Sequence, residues 1–408
     1  MKVISLYTGV GGLDFGFEAA GFETRVAVEL DAVCCATIRL NRDWPVLEGD
    51  IHNISSKQIL KAGKLKPGEA DVLIGGPPCQ PFSKSGYWAR GDALRLDDPR
   101  ADTLSAYLRV LRDTRPKALL LENVYGLAYK GKDEGLERIL SGIEQINRET
   151  GTNYRPQWCV LDAASYGVPQ HRERVFIIAG RDGQQFEFPA ATHGQVVNLF
   201  GDAKRCEPFR TAWDALGDLP ENLNDRDLKM GGKWADLLPS IPEGDNYLHH
   251  TPRGQGKPLF GWRTRYWSFL LKLAKDRPSW TIQAQPGSAI GPFHWRNRKL
   301  SAQELCRLQT FPDGLVFECG RTQVQKLLGN AVPSLLAEVL AREISAQLLG
   351  KKPKAKRLKL LPPRRKILPA PEKVAAVPRK YLTLQGDHAA HPGTGKGNRA
   401  KAREKAVA

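Results

Sequence analysis

The 408-residue chain lacks any C-x-x-C pair among its seven cysteines, and the count is odd. That excludes a complete disulfide framework, argues against a structural zinc site, and points to reduced thiols in a cytosolic setting. Nor is there any apolar run near the roughly 20 residues a membrane-spanning helix requires. The first apolar run, "KVISLY", starts at residue 2, so no secretory leader is expected. No internal repeat is visible. Acidic charge is scarce at one end only. Of the net +17, residues 351–408 hold 17 Lys and Arg against Glu372, Asp387 and Glu404, leaving 44 basic and 41 acidic side chains in the first 350. The body is therefore nearly neutral. The tail, rich in Pro, Ala, Lys and Gly, is expected to be largely disordered, either a solubilising segment or one drawn non-specifically to phosphates.

What is present is alternation. "KVISLY", "TRVAVEL", "DVLIGG", "KALLLEN", "QWCVLDA" and "RVFIIAG" read as strands, and the stretches near 12–20, 32–41, 101–114 and 134–149 as helices. This pattern predicts an α/β fold with a mostly parallel sheet, whose ligands bind beyond the carboxyl ends of the strands. Residues from about 185 to 297 have poor periodicity and many Gly, Pro, Asn and Trp, as expected of a second, irregular domain. Periodicity returns at "SAQELCRLQTF" and "PSLLAEVLAREISAQLL", the latter an amphipathic helix with Pro333 at its start.

The strand ends carry the chemistry. Gly9, Gly11 and Gly12 turn the chain tightly after the first strand, either to admit a nucleotide-like ligand or to pack a helix. Glu29 ends the second strand, where an acid can accept from two ribose hydroxyls or sit at a helix N-terminus. Asp50 ends a further short extended piece and can accept from an adenine amino group or from a turn. Together they favour an adenosine site, which an NAD enzyme would fit equally well.

The stretch "GGPPCQPFSKSG" narrows the choice. Cys79 lies on a loop stiffened by Pro77, Pro78 and Pro81, at the active edge of the sheet. A buried cysteine is ordinarily inert, but this position suits a nucleophile, and a thiol suits covalent attack on an electron-poor ring. Glu122 emerges at the same edge as a candidate general acid. Gln170, Arg172 and Arg174 precede the last strand, and with period two both arginines share a face.

In this order the motifs resemble the DNA (cytosine-5)-methyltransferase family, specifically its bacterial restriction–modification members. The resemblance rests on Tyr7-Thr8-Gly9-Val10-Gly11, Pro78-Cys79-Gln80, Glu122 to Val124, Gln170 to Arg174, "DDPRADTLSAYLRVL", "RKLSAQELCRLQTFPDG" and "KLLGNAVP". It covers about residues 1–185 and 297–345. Tyr7 replaces the usual Phe, and Ser5 stands where an Asp is common.

The resemblance implies a Rossmann-like S-adenosylmethionine-dependent domain over 1–185, completed by 325–350, with a small irregular target-recognition domain over 186–324 and the basic tail over 351–408. It implies a cofactor site of Tyr7, Gly9, Gly11, Glu29, Asp50, Ile51, Pro78, Leu104, Asn330 and Val332, with no metal. Cys79 would add to C6 of a flipped-out cytosine while Glu122 donates to N3. Arg174 would hold the carbonyl at position 2, and Arg172 would position Glu122 and the loop. The loop from Gln80 to about Arg100 would close as a lid. The implied partners are duplex DNA and, functionally, a restriction endonuclease, for a monomeric cytoplasmic protein at the nucleoid. A catalytically silent DNA-binding paralogue and a tRNA methyltransferase are the alternatives. In the lobe, "GWRTRYWSF" and "FHWRNRK" read mostly as core tryptophans and phosphate-contacting arginines.

Overall fold

A computed structural model describes residues 1–78, 102–128, 134–195, 206–221, 224–260, 267–352 and 355–384. Seven strands form its main sheet: β1 (Lys2–Leu6), β2 (Glu23–Glu29), β3 (Val46–Glu48), β4 (Val72–Gly75), β5 (Ala118–Val124), β6 (Gln157–Asp162) and β7 (Glu173–Gly180). Their order is β3-β2-β1-β4-β5-β7-β6. The first five run parallel, and β7 is antiparallel to both β5 and β6.

The strands form where the sequence is apolar on both faces, as in buried parallel sheets. Along β4 and β5, alternate residues enter opposite cores. Leu73, Leu119 and Leu121 pack on one side with Ile4 and Leu6. Val72, Ile74, Ala118 and Leu120 pack on the other with Val3 and Phe176. The antiparallel β7 was not foreseen as such, and it matters for the site. It brings the start of β7 to the same edge as the ends of β1, β4 and β5, with Arg174 opposite Val124 and Phe176 opposite Glu122.

Helices α1 (Gly12–Ala19), α2 (Ala32–Asn41), α3 (Ser56–Ala62), α4 (Asp102–Thr114) and α5 (Glu134–Thr150) cover the sheet. All but α3 follow the sequence pattern. Its signal was the Ser55-x-x-Gln58 capping box, whose reciprocal hydrogen bonds are formed. The irregular region holds the short α6 (Ala212–Leu216), and after it come α7 (Ala302–Leu308), α8 (Arg321–Asn330) and α9 (Ser334–Gln347). Helix α9 returns to the large domain and packs on α1. The approach is so close that a Cβ on Gly12 would lie 2.4 Å from the Val332 carbonyl, and one on Gly16 2.4 Å from Ala337 Cβ.

The lobe has its own small core of Leu237, Leu238, Ile241, Leu259, Leu270 and Phe293, with Trp234, Phe260 and Phe269 against it. Trp295 is buried as expected, but Trp267 and Trp280 are 45% and 42% exposed. Residues 261–266 lie outside the described residues. Arg296 pairs with Glu221 and Glu372, and Arg298 with the buried Glu304. These two arginines are engaged by acids, contrary to the phosphate-contact expectation.

The tail also departs from expectation. Residues 355–384 lie along the body. Leu358, Leu360 and Leu361 pack on the α9 side of the sheet, and Tyr381 joins the lobe core. A low average hydropathy concealed a few apolar side chains spaced along an extended segment. Residues 385–408 lie outside the described residues.

Candidate active site

The strand-end turns are shaped by one carboxylate. The chain leaves β1 with positive φ at Tyr7 (53°), Gly9 (57°) and Gly11 (85°). At Gly11 only glycine fits, because a Cβ would meet Trp44 at 3.1 Å and Phe15 at 3.2 Å as well as carry the φ strain. Glu29, at the end of β2, accepts from the Gly9 N–H at 2.7 Å through one oxygen. The other accepts from Leu30 at 2.9 Å and Asp31 at 2.8 Å. An ionised carboxylate has about four acceptor sites, so capacity remains for hydroxyl donors.

The other predicted cofactor residues join this edge through a chain of contacts. The exposed Asp50 accepts from the His52 N–H at 3.0 Å, and the carbonyl of the buried Ile51 accepts from Arg109 of α4 at 2.7 Å. Tyr7 donates its hydroxyl to the Thr103 carbonyl at 2.7 Å, and Thr103 donates to the Pro78 carbonyl at 3.3 Å. Leu104 is buried beside them. Asn330 is exposed at the end of α8, and Val332 is buried against Gly12. The donor set fits S-adenosylmethionine. The carboxylates of Glu29 and Asp50 are acceptors suited to ribose hydroxyls and an adenine amino group, Leu104 and Ile51 are apolar, and among the described residues beyond its chain neighbours no atom lies within 4 Å of the place a Cβ would take on Gly9.

Glu122, near the end of β5, is the buried acid of the site. Arg174 Nε lies 2.9 Å from its carboxylate. Burial pushes its pKa above the usual carboxylate range, against the lowering effect of Arg174 and Arg172. Gly76 is the residue sequence reasoning missed here. A Cβ on it would stand 2.7 Å from Glu122 Oε2, so the acid fits only because β4 exits through glycine. Asn123, also unforeseen, donates to the Pro77 carbonyl at 3.2 Å. The segment Gly76–Pro78 is thus held from β5 and α4 as it leads into Cys79, which itself lies outside the described residues, as does the expected lid. Five other cysteines (Cys34, Cys35, Cys159, Cys306 and Cys319) have thiols whose pKa burial pushes up, to about 12 at Cys35 and Cys306. Held neutral, they are poor nucleophiles.

The Gln-x-Arg-x-Arg segment divides its labour differently from the expectation. It is Arg174, not Arg172, that meets Glu122. Arg172 is fully buried and donates to the carbonyls of Gly329 at 2.7 Å and Ile282 at 3.4 Å. Gln170 accepts from the Ile282 N–H at 2.9 Å and donates to the Leu308 carbonyl at 3.3 Å. These two side chains tie the sheet edge to α7, α8 and the lobe segment that includes Ile282. Asp162, unforeseen at the end of β6, accepts from the Arg172 N–H at 2.9 Å and lies 2.8 Å from His171 Nδ1. Those contacts hold its pKa below the usual range. Among the described residues no group of three or more His, Cys, Asp or Glu could hold a metal ion.

A seven-stranded sheet with an antiparallel β7, a glycine turn after β1, and carboxylates at the end of β2 and after β3 is the Rossmann-like fold of S-adenosylmethionine-dependent methyltransferases. The chain belongs to the C-5 cytosine-specific DNA methylase family, whose model matches residues 1–346. It is thus a DNA (cytosine-5)-methyltransferase. It is 40% identical over 378 residues to Type II methyltransferase M.SacI of Streptomyces achromogenes, covering 85% of this chain and 93% of that protein. It is 46% identical over 227 residues to Type II methyltransferase M.AquIA of a Picosynechococcus strain, covering 54% of this chain and 89% of that protein. The fold matches the solved structure of the Entamoeba histolytica methyltransferase EhMeth with a TM-score of 0.58 at 16% identity, covering 85% of this chain and 98% of that one.

Proposed function

We propose that this methyltransferase acts on a flipped-out cytosine within a specific duplex sequence, through a covalent bond between Cys79 and C6. The observation that carries the reading is the buried Glu122–Arg174 pair beside Gly76, three residues before Cys79 in the chain. C5 of cytosine is a weak nucleophile, and thiolate addition at C6 converts the ring to an enamine that attacks through C5. Glu122, its acid form favoured by burial, donates to N3 and steadies the amino group. Arg174 spans from Glu122 toward the ring carbonyl. Arg172, two residues before Arg174, anchors the start of that strand to α8 and the lobe, and so acts on the pair through the backbone. S-adenosylmethionine, held by Tyr7, Gly9, Gly11, Glu29, Asp50, Ile51, Pro78, Leu104, Asn330 and Val332, supplies the methyl group. Loss of the C5 proton to a base then expels Cys79. Because C6 is shielded in stacked DNA, the base must leave the helix. The 186–324 lobe reads the target in the major groove, and a partner endonuclease cleaves the same sequence when it is unmethylated.

The test is a duplex carrying 5-fluorocytosine, which has no C5 proton to lose. The native enzyme is expected to form a denaturant-stable adduct after one methyl transfer, and Cys79→Ala none. An adduct with the alanine variant would overturn the thiol assignment. Bisulfite sequencing of DNA from cells expressing the protein gives the target motif, and transfer to tRNA instead of duplex DNA would overturn the substrate.

A further inference from the structure

We propose that residues 355–384 are a clasp that fixes the recognition lobe against the catalytic domain and so sets the cleft that receives DNA. The proposal rests on the reading of the lobe as the DNA-recognition part. The segment is attached at both ends and in the middle. At the catalytic end, the fully buried Glu338 of α9 accepts from the N–H groups of Lys359 at 2.8 Å and Leu360 at 2.9 Å. Beside it, Arg342 donates to the carbonyls of Ala355 at 2.7 Å and Arg357 at 2.6 Å. In the middle, Asp214 of α6 accepts from the Arg365 N–H at 2.8 Å, and Trp213 donates to the Ile367 carbonyl at 2.7 Å.

At the lobe end, Glu372 receives Lys275 at 2.9 Å and Arg296 at 2.5 Å, with Glu243 on the other side of Lys275 at 2.6 Å. Tyr381 stacks on Trp234, donates to the Lys233 carbonyl at 2.7 Å and is 3% exposed.

The body is built to need this segment. Without it, Glu338 would keep only Arg342, and buried polar groups left unpaired are destabilising. The lobe core would lose Tyr381 and open one face of Trp234. Yet the segment reaches neither Glu122 nor Glu29 through any of these contacts, so its effect on the reaction must pass through the placement of the lobe. Preorganising the two walls of a cleft raises affinity by removing the ordering cost from binding.

The double variant Glu372→Gln, Tyr381→Ala tests this in the full chain, because it removes the ion-pair and aromatic anchors of the lobe end, leaves the catalytic end and the middle as they are, and adds one net positive charge. If the segment served only to attract phosphates, that charge would tighten DNA binding. The clasp predicts the reverse: a five- to tenfold rise in KM for target duplex, kcat within twofold of native, and unchanged affinity for S-adenosylmethionine. An unchanged or lower KM overturns the clasp. So does a kcat that falls in step with loss of the lobe's resistance to protease, which would mark a purely stabilising role. Hydroxyl-radical footprinting of the native protein separates the premise: without protection of the lobe by target duplex the DNA-lobe reading fails, whereas protection with an unchanged KM in the variant sinks the clasp alone.

Discussion

The sheet domain and the irregular lobe are stabilised by different means. In the sheet, long apolar strands bury both faces, and polar side chains appear mainly where strands end. In the lobe, regular structure is short, the apolar core is small, and buried charges do much of the joining: Arg298 with Glu304, and Lys275 with Glu243 and Glu372. A sheet edge fixes backbone positions from which a few side chains can be aimed within tenths of an ångström. A lobe held by ion pairs and a clasp can change its surface loops while its attachment points stay constant.

The contrast is sharpest in catalysis. Glu122→Gln keeps the shape of the acid and removes its proton, and general acid catalysis contributes about 10²–10⁴-fold. We expect kcat to fall by at least about 100-fold in a methyl-transfer assay, with DNA and S-adenosylmethionine affinities near native. Gly76→Ala should reproduce much of that loss without touching a reacting group, since its Cβ would displace Glu122 Oε2 from 2.7 Å. A fully active Gly76→Ala enzyme would mean that the carboxylate moves freely and that its position is not set by β4. Lobe variants such as the clasp pair should alter KM for DNA and leave kcat, so the two regions would separate kinetically.

Glu29→Ala comes next. It strips the acceptor from three backbone N–H groups, one in the glycine turn after β1 and two just after β2. Hydrogen bonds to a charged group contribute about 1.5–3 kcal/mol, so isothermal titration should show S-adenosylmethionine bound roughly 10- to 100-fold more weakly. Retention of native affinity would remove Glu29 from the site.

Packing offers a smaller test of the same comparison. Gly16→Ala inserts a methyl group where Ala337 Cβ and the Ser334 carbonyl each stand 2.4 Å away. Overpacking of this kind costs about 1–3 kcal/mol. Thermal unfolding followed by calorimetry should show the sheet domain, with α1 and α9, melting earlier. Tyr381→Ala should instead lower protease resistance within 224–260 and leave the sheet's transition in place.

Much of the sheet domain was legible because its signals are local. Each of the six apolar runs became a strand, and the four periodic stretches became helices. Strand direction was not legible, since "RVFIIAG" reads the same parallel or antiparallel, and yet the antiparallel β7 is what brings Arg174 to Glu122. At the site, residue types were readable but partners were not. Arg172 and Arg174 are two residues apart on one face, and nothing local says that one meets Glu122 while the other reaches Ile282 and Gly329. Gly76 drew no notice at the end of the "DVLIGG" run because its neighbour across the sheet, Glu122, is 46 residues away. The clasp was hidden for a related reason: its order comes from acceptors on α6 and α9 and in the lobe, while its composition resembles that of an unfolded chain.

The smallest effect concerns Asp14, an acid sealed inside the sheet domain, where the lobe's buried acids have cations beside them. It is fully buried, and accepts from Ser5 at 2.9 Å and from Thr24 at 2.9 Å. Glu18 adds a like charge nearby, and burial raises the Asp14 pKa from 3.8 to about 6 despite the hydrogen bonds. A carboxyl whose folded pKa lies above its unfolded value favours folding fully below 3.8, and loses that contribution as pH rises through about 6. Between pH 5 and pH 8 the loss is about 1.4 kcal/mol, or about 1–2 °C in Tm for a chain of this size. Asp14→Asn cannot ionise; its Oδ1 can still accept from one of the two hydroxyls while its amide N–H donates to the oxygen of the other. Its Tm should therefore fall less than the native Tm over that interval, and the two curves should converge toward low pH. Parallel curves would show that Asp14 is ionised throughout, stabilised by Ser5 and Thr24 more strongly than burial opposes it. That outcome would mean the sheet domain, like the lobe, carries a buried charge.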